Sequence, residues 1–310
     1  MTEAARSTPY RIRVQPPGRS RAEFRAAGLV VLAAILFGTT GTAQALGPDS
    51  VSPSVIGAGR IVVGGLLLAL VGTATGQLRD GIRWRRGVVL LAAVGVAGYQ
   101  VGFFAAVDRA GVAVGTIVTI GSAPAFTGLL GWLAGQGRPS RVWAVATALA
   151  VAGGALLAGS GGGEASADPV GLALGLLAGA SYALYTVAAK RLLDDGHRPA
   201  GVMAAAFGLG GLVLAPVLVA LGPAAVRAEP SVLLVVLYLA VVPTAVAYLL
   251  FARGLKRLPA PTVATLTLAE PVVAGTLGIV VLAEPVTATR ALGAVLVLAG
   301  LMVLAWRPLR

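Results

Sequence analysis

Residues 54–75 read SVIGAGRIVVGGLLLALVGTAT, a run without proline whose one charged residue is Arg60. A bilayer core about 30 Å thick takes roughly 20 apolar residues of helix to cross. Helices and closed barrels are the structures that satisfy their own backbone polar groups in lipid. The run therefore predicts a transmembrane helix. The same length of apolar sequence recurs at 27–46, 87–107, 112–134, 142–159, 170–189, 199–221, 231–252, 260–283 and 288–306. Between these spans stand Gly47-Pro48-Asp49, Gly76 to Arg86, Asp108-Arg109, Gly137-Arg138-Pro139, Gly159 to Pro169, Lys190 to Arg198, Gly222 to Pro230, Arg253 to Pro259 and Glu284-Pro285.

The whole chain carries the same signal. Of its 310 residues 57% are hydrophobic and 12% charged, against about 45–50% and about 25% in soluble domains. That much apolar surface has to face lipid rather than water. The net charge of +12 does not mark a nucleic-acid binder, because that reading needs cations gathered on one exposed face. Here they sit between apolar runs. With the N-terminus on the cytoplasmic side of a ten-helix topology, 20 of the 24 Lys and Arg fall inside. Arg60, Arg109, Arg227 and Arg290 are the four that do not. The asymmetry places both termini in the cytoplasm. Residues 1–25 hold six arginines and three prolines without an apolar run, and are expected to form a disordered basic tail. Arginine far outnumbers lysine and alanine and glycine abound, which suggests the inner membrane of a bacterium with GC-rich coding.

The chain also repeats itself. Sliding residues 104–158 onto 251–305 without gaps superposes Phe104 on Phe251, Ala113 on Ala260, Pro124 on Pro271, Gly128 on Gly275, Gly131 on Gly278, Gly153 on Gly300 and Leu157 on Leu304. The matched mid-span prolines carry the most weight. Two halves result, 26–160 and 161–310, each of five helices. Five is odd, so the second half is inverted in the membrane, as in many transporter folds. The expected fold is an all-α integral membrane protein of ten transmembrane helices in two inverted five-helix repeats.

Short motifs in both halves resemble the EamA-type branch of the drug/metabolite transporter superfamily. Phe37-Gly38 stands where that family has Trp-Gly, and Arg60 falls on an arginine common early in its second helix. VATLTLAEPVVAGTLGIVVLAE at 263–284 resembles the ninth-helix segment, supplying Glu270, Pro271 and Glu284, and Leu292-Gly293 to Gly300 resembles the tenth. In the first half Gln136-Gly137 replaces the family's Gly-Glu. The resemblance implies a secondary transporter, an exporter, of a small metabolite such as an amino acid, or of a drug.

Candidate site residues are the polar and aromatic side chains expected near mid-membrane, where transporters place substrate between their repeats. They are Thr39, Thr40, Gln44, Arg60, Tyr99, Gln100, Phe103, Thr119, Ser122, Tyr182, Tyr185 and Tyr248. Glu270, just before a helix-bending proline, is the candidate proton-coupling group, because burial of a carboxylate favours its protonated form. Each of these also has a packing reading, as an interhelical hydrogen bond or, for Arg60, as a side chain reaching the headgroups. Glu284 and Asp108 are weaker candidates at span ends. Gly171, Gly175 and Gly179, spaced by four, read as a close helix contact.

Other functions fit less well. The chain lacks cysteine and has one histidine, His197, in a charged loop. No thiolate metal site or cysteine nucleophile is available, and Ser181 has no histidine within its span to act as base. Neither Lys190 nor Lys256 follows the glycines of a phosphate-binding loop, and no filter-like repeat suggests a channel. The expectation is a protein that is not an enzyme and needs no cofactor or metal. Its partners would be a small-molecule substrate, the bilayer and a coupling proton. A membrane scaffold or sensor, or a translocator of a lipid-like substrate, is the alternative.

Overall fold

The computed structural model describes residues 21–48, 50–159, 168–283 and 285–306. The tail 1–20 and Glu284 lie outside the described residues. Ten helices follow in order: α1 (Arg21–Ala45), α2 (Pro53–Ala74), α3 (Arg86–Gly111), α4 (Val114–Leu133), α5 (Arg141–Gly159), α6 (Pro169–Asp194), α7 (Pro199–Ala228), α8 (Val232–Leu255), α9 (Ala260–Leu282) and α10 (Ala288–Trp306). Nine are long and apolar enough to span a bilayer, and α10 has a slightly shorter apolar stretch, Ala288–Leu304. No strand occurs among the described residues.

Local chemistry explains where helices start and bend. At α2 the Ser52 hydroxyl accepts from Ser54 N, and at α6 the Asp168 carboxylate accepts from Val170 N, each followed by a proline at the first helical position. Those residues satisfy donors that a helix start leaves free, and proline there loses nothing. Asp108 and Arg109, expected to form a loop, are helical instead. The break between α3 and α4 falls at Gly111, whose φ of 83° suits glycine and strains other residues. Around Pro243 the helix α8 widens into a π-type turn over Val241–Val246, and α9 tightens to a 3₁₀ turn at Thr267–Ala269 just before Pro271. Both prolines remove a backbone donor, and the helix adjusts around the gap.

The packing is two-fold. Helices α2 and α7 lie side by side, as do α5 and α10, so each of these pairs joins equivalent helices of the two repeats. Helix α1 packs on α8 and α9, while α6 packs on α3 and α4, which is the same arrangement with the repeats exchanged. Backbones approach closely along these seams. A Cβ on Gly293 would sit 2.8 Å from the Gly153 carbonyl in α5, so only glycine fits there. Gly171, Gly175 and Gly179 do seat α6 against its neighbours, facing Ala110, Val118 and Ser122.

At the end of the bundle that carries the termini, the α2–α3 connection folds onto the start of α7. His197 Nδ1 lies 2.9 Å from Asp80 Oδ2, with both side chains buried. The Trp84 ring stacks on His197 at 3.8 Å. Ala200 N, a free donor in the first turn of α7, is capped by Gln77 Oε1 of the other repeat at 3.0 Å. The loop histidine of the sequence is therefore a buried joint between repeats.

Candidate functional site

Seven helices converge on a cluster of aromatic rings near the middle of the bundle. Tyr99 (α3) meets Tyr182 (α6) at 5.9 Å between centroids, Tyr182 meets Tyr185 at 6.2 Å, and Tyr185 meets Tyr248 (α8) at 6.0 Å. Phe207 (α7) contacts Tyr248 at 4.2 Å and Phe37 (α1) contacts it at 4.8 Å. Phe103 stacks on Tyr99 from one turn away. The spacing and tilted planes are those of favourable aromatic pairs. Arg60, Tyr99, Tyr182, Tyr185, Phe207 and Tyr248 enclose a cavity of about 10 Å³, room for one water.

Charge enters this apolar box from two helices. Arg60 of α2 donates from Nη2 to Gln100 Oε1 of α3 at 3.4 Å. Arg60 Nε and Gln100 Nε2 are buried with no hydrogen-bond partner among the described residues. Leaving donors buried and unpaired is costly; Arg60 lines the cavity, whereas the Gln100 amide lies against Gly57 in the α2–α3 contact. Glu270 is half-buried on α9, three residues after Thr267. Pro271 directly after it and the 3₁₀ turn before it set its position. Tyr182 Oη reaches Thr267 Oγ1, one turn before Glu270, at 3.4 Å. The result is a cation among hydroxylated aromatic walls, with the Glu270 segment of α9 joined to that wall through Thr267 and Tyr182.

The remaining candidates lie elsewhere in the bundle. Thr39, Thr40 and Gln44 are half-buried along α1, and the Thr39 hydroxyl donates to its own helix at Leu36 O. Thr119 is buried at the contact with Gly175, and Ser122 meets Gly179 while donating to Thr119 O. Those two hydroxyls occupy the α4–α6 seam. Asp108 is exposed at the far end of α3. Phe37, Phe207 and Thr267 are members of the cluster that the sequence reading does not place in the site. Phe37 carried a signal as part of the Phe37-Gly38 motif. Phe207 had none, being a single aromatic in an apolar span.

The EamA-like transporter family matches residues 24–159 and 169–306, one copy on each five-helix half, and the chain belongs to this family. It is 39% identical over 279 residues to the "Uncharacterized transporter YwfM" of Bacillus subtilis (strain 168), covering 90% of this chain and 93% of that one. An "Uncharacterized transporter" of Archaeoglobus fulgidus is 33% identical over 137 residues, 44% of this chain and 48% of its own. A solved crystal structure superposes with a TM-score of 0.74 over 90% of this chain and 96% of its own, at 21% identity, a likeness of fold.

Proposed function

With membership of a transporter family as premise, we propose that this chain exports a small metabolite, an amino acid or a related compound, or a drug across the bacterial cytoplasmic membrane by alternating access. The observation that supports this reading most directly is the cavity between the repeats that Arg60 lines together with Tyr99, Tyr182, Tyr185, Phe207 and Tyr248. Arg60 would engage acceptor groups of the substrate, and the aromatic walls its apolar part. Glu270, the acidic member of the cluster, would exchange a proton as substrate binds and leaves. The skew of Lys and Arg supports both termini facing the cytoplasm.

Thermal stabilisation of the purified protein against a library of amino acids, nucleobases, sugars, polyamines and cationic drugs tests the reading. A ligand that binds the folded state raises the melting temperature by mass action. Stabilisation confined to one chemical class, and lost in Arg60→Gln, supports it. A flat profile contradicts a small-metabolite substrate and favours a lipid-like one.

A further inference from the structure

The two ends of the bundle differ in how α9 is covered. Along α9, every residue from Ala260 to Ala269 is buried, whereas from Glu270 to Leu277 every residue is half-buried or exposed. Helix α6 shows the same trend, with Tyr185 to Ala189 all buried at the end that carries the termini. That end is packed shut below the aromatic cluster, and over two turns of α9 beyond the cluster no residue is fully enclosed.

Besides the α2–α3 junction described above, the corner between α4 and α5 fastens this end. Gln136 Nε2 donates to Val187 O of α6 at 3.1 Å. Trp143 Nε1 donates to Pro261 O at the start of α9 at 3.0 Å, and Thr147 Oγ1 lies 2.7 Å from Thr265 Oγ1 on α9. All three bonds cross from the first repeat to the second. They reach α6 at Val187, two residues from Tyr185, and α9 at Pro261 and Thr265, nine and five residues before Glu270. Trp143 lies over Gly128, where a Cβ would come within 2.7 Å of its ring, so the corner moves with the end of α4.

The symmetry of the fold makes these bonds informative. Under the shift that places Phe104 on Phe251, Thr147 corresponds to Ala294, Thr265 to Val118 and Gln136 to Ala283. These three counterparts have no side-chain hydrogen-bonding group, while Trp143 corresponds to Arg290, whose Nη1 donates to Pro285 O at 2.7 Å, so the opposite end is fastened by different chemistry. At that end an exposed ion pair, Arg109 with Asp168 at 3.7 Å, links the repeats, and exposed pairs of this kind hold weakly.

We propose that the corner at 131–147 is the gate at the terminus-bearing end of the transport path, held shut by Gln136, Trp143 and Thr147 against Val187, Pro261 and Thr265. The proposal rests on the transport reading above and names the element that moves. Neutral hydrogen bonds contribute little each once exchange with water is counted. Three of them hold a gate closed and still let a modest differential binding energy open it. Gln136, Trp143 and Thr147 are positioning residues, set away from the substrate cluster.

Double electron–electron resonance tests this without any substrate, so its outcome is separate from whether a transported compound has been found. The chain has no native cysteine, so nitroxide labels go only where cysteines are introduced. One pair, Arg141→Cys with Arg257→Cys, spans the gate from exposed positions. A second pair, Arg79→Cys with Arg198→Cys, spans the α2–α3 junction with α7 as a reference. In the parent chain each pair should give one narrow distance distribution. Adding Trp143→Phe with Thr147→Val should raise the longer-distance population of the gate pair by roughly tenfold, as expected for losing two weak bonds, with the reference pair unchanged. A gate distribution that stays unchanged in this variant, while the reference confirms the fold, overturns the proposal. Should the double variant not fold, Thr265→Val removes one hydroxyl and is read the same way, with a smaller shift expected and no shift again overturning it.

Discussion

Arg60 holds Gln100 through one hydrogen bond of 3.4 Å, and each keeps a buried nitrogen without a partner. The pair joins α2 to α3, and Arg60 lines the central cavity, so the first repeat presents its cation on a fixed support. Arginine offers a planar fork of donors that lysine cannot reproduce. We expect Arg60→Lys to weaken substrate binding by roughly tenfold or more, equivalent to about 1.4 kcal/mol. Its melting temperature without ligand should stay near that of the parent. Isothermal titration with the stabilising ligand measures the first, and equal affinity in Arg60→Lys contradicts a role in recognition.

Gly38 on α1 faces the α9 segment that carries Glu270. A Cβ there would lie 2.7 Å from Val273 Cβ and 2.9 Å from the Glu270 carbonyl oxygen. Overpacking of this kind costs about 1–3 kcal/mol. Gly38→Ala should therefore lower the melting temperature and displace Glu270. Gly28→Ala on the same helix, with nothing within 4 Å of the added carbon, should be neutral. Equal stability of the two variants would show that α1 and α9 separate easily.

Asp80 gives the pH dependence of the terminus-bearing end. Burial pushes its carboxyl up, but the hydrogen bond to His197 and the donation from Ile82 N outweigh that effect and hold it below the usual carboxylate range. A carboxyl group whose folded pKa is depressed contributes stability that is complete above its unfolded value, about 3.9. That contribution is lost as pH falls through the lower folded value. The melting temperature should thus drop below about pH 4, and Asp80→Asn should lose stability at pH 7 and show a shallower acid limb. An unchanged acid limb in Asp80→Asn rules out this carboxylate as its source.

Much of the fold is legible in the sequence because the bilayer imposes a length on every span and the loops collect the cations. The bend at Pro271 and the close seam at Gly171, Gly175 and Gly179 followed from residue type alone. The α3–α4 break was misplaced for a physical reason. Asp108 and Arg109 look like a loop by charge, but an exposed helix end tolerates them, and the backbone turns where glycine allows a positive φ. In the cluster, Arg60 and Glu270 stood out because a charge inside an apolar span needs a reason. Tyr99, Tyr182 and Tyr248 stood out as hydroxylated aromatics in the same setting. Phe207 did not, since a lone phenylalanine in α7 has the chemistry of any lipid-facing residue. Asp80 and His197 are 117 residues apart, and Trp143 and Pro261 are 118 apart. No local pattern announces such partners, and only the exchange of helices between repeats brings them together.

Glu270 sits half-buried on α9, three residues after the Thr267 that meets Tyr182, and its exchange of a proton is the step that would couple transport to a gradient. The most direct measurement is flux of the stabilising ligand into proteoliposomes under an imposed pH gradient, compared between the parent chain and Glu270→Gln from pH 6 to 8. Gradient-driven accumulation is expected in the parent. Glu270→Gln should lose that accumulation, with exchange of the ligand down its own gradient retained and insensitive to pH. Gradient-driven flux in Glu270→Gln equal to the parent across this range contradicts the coupling role given to Glu270.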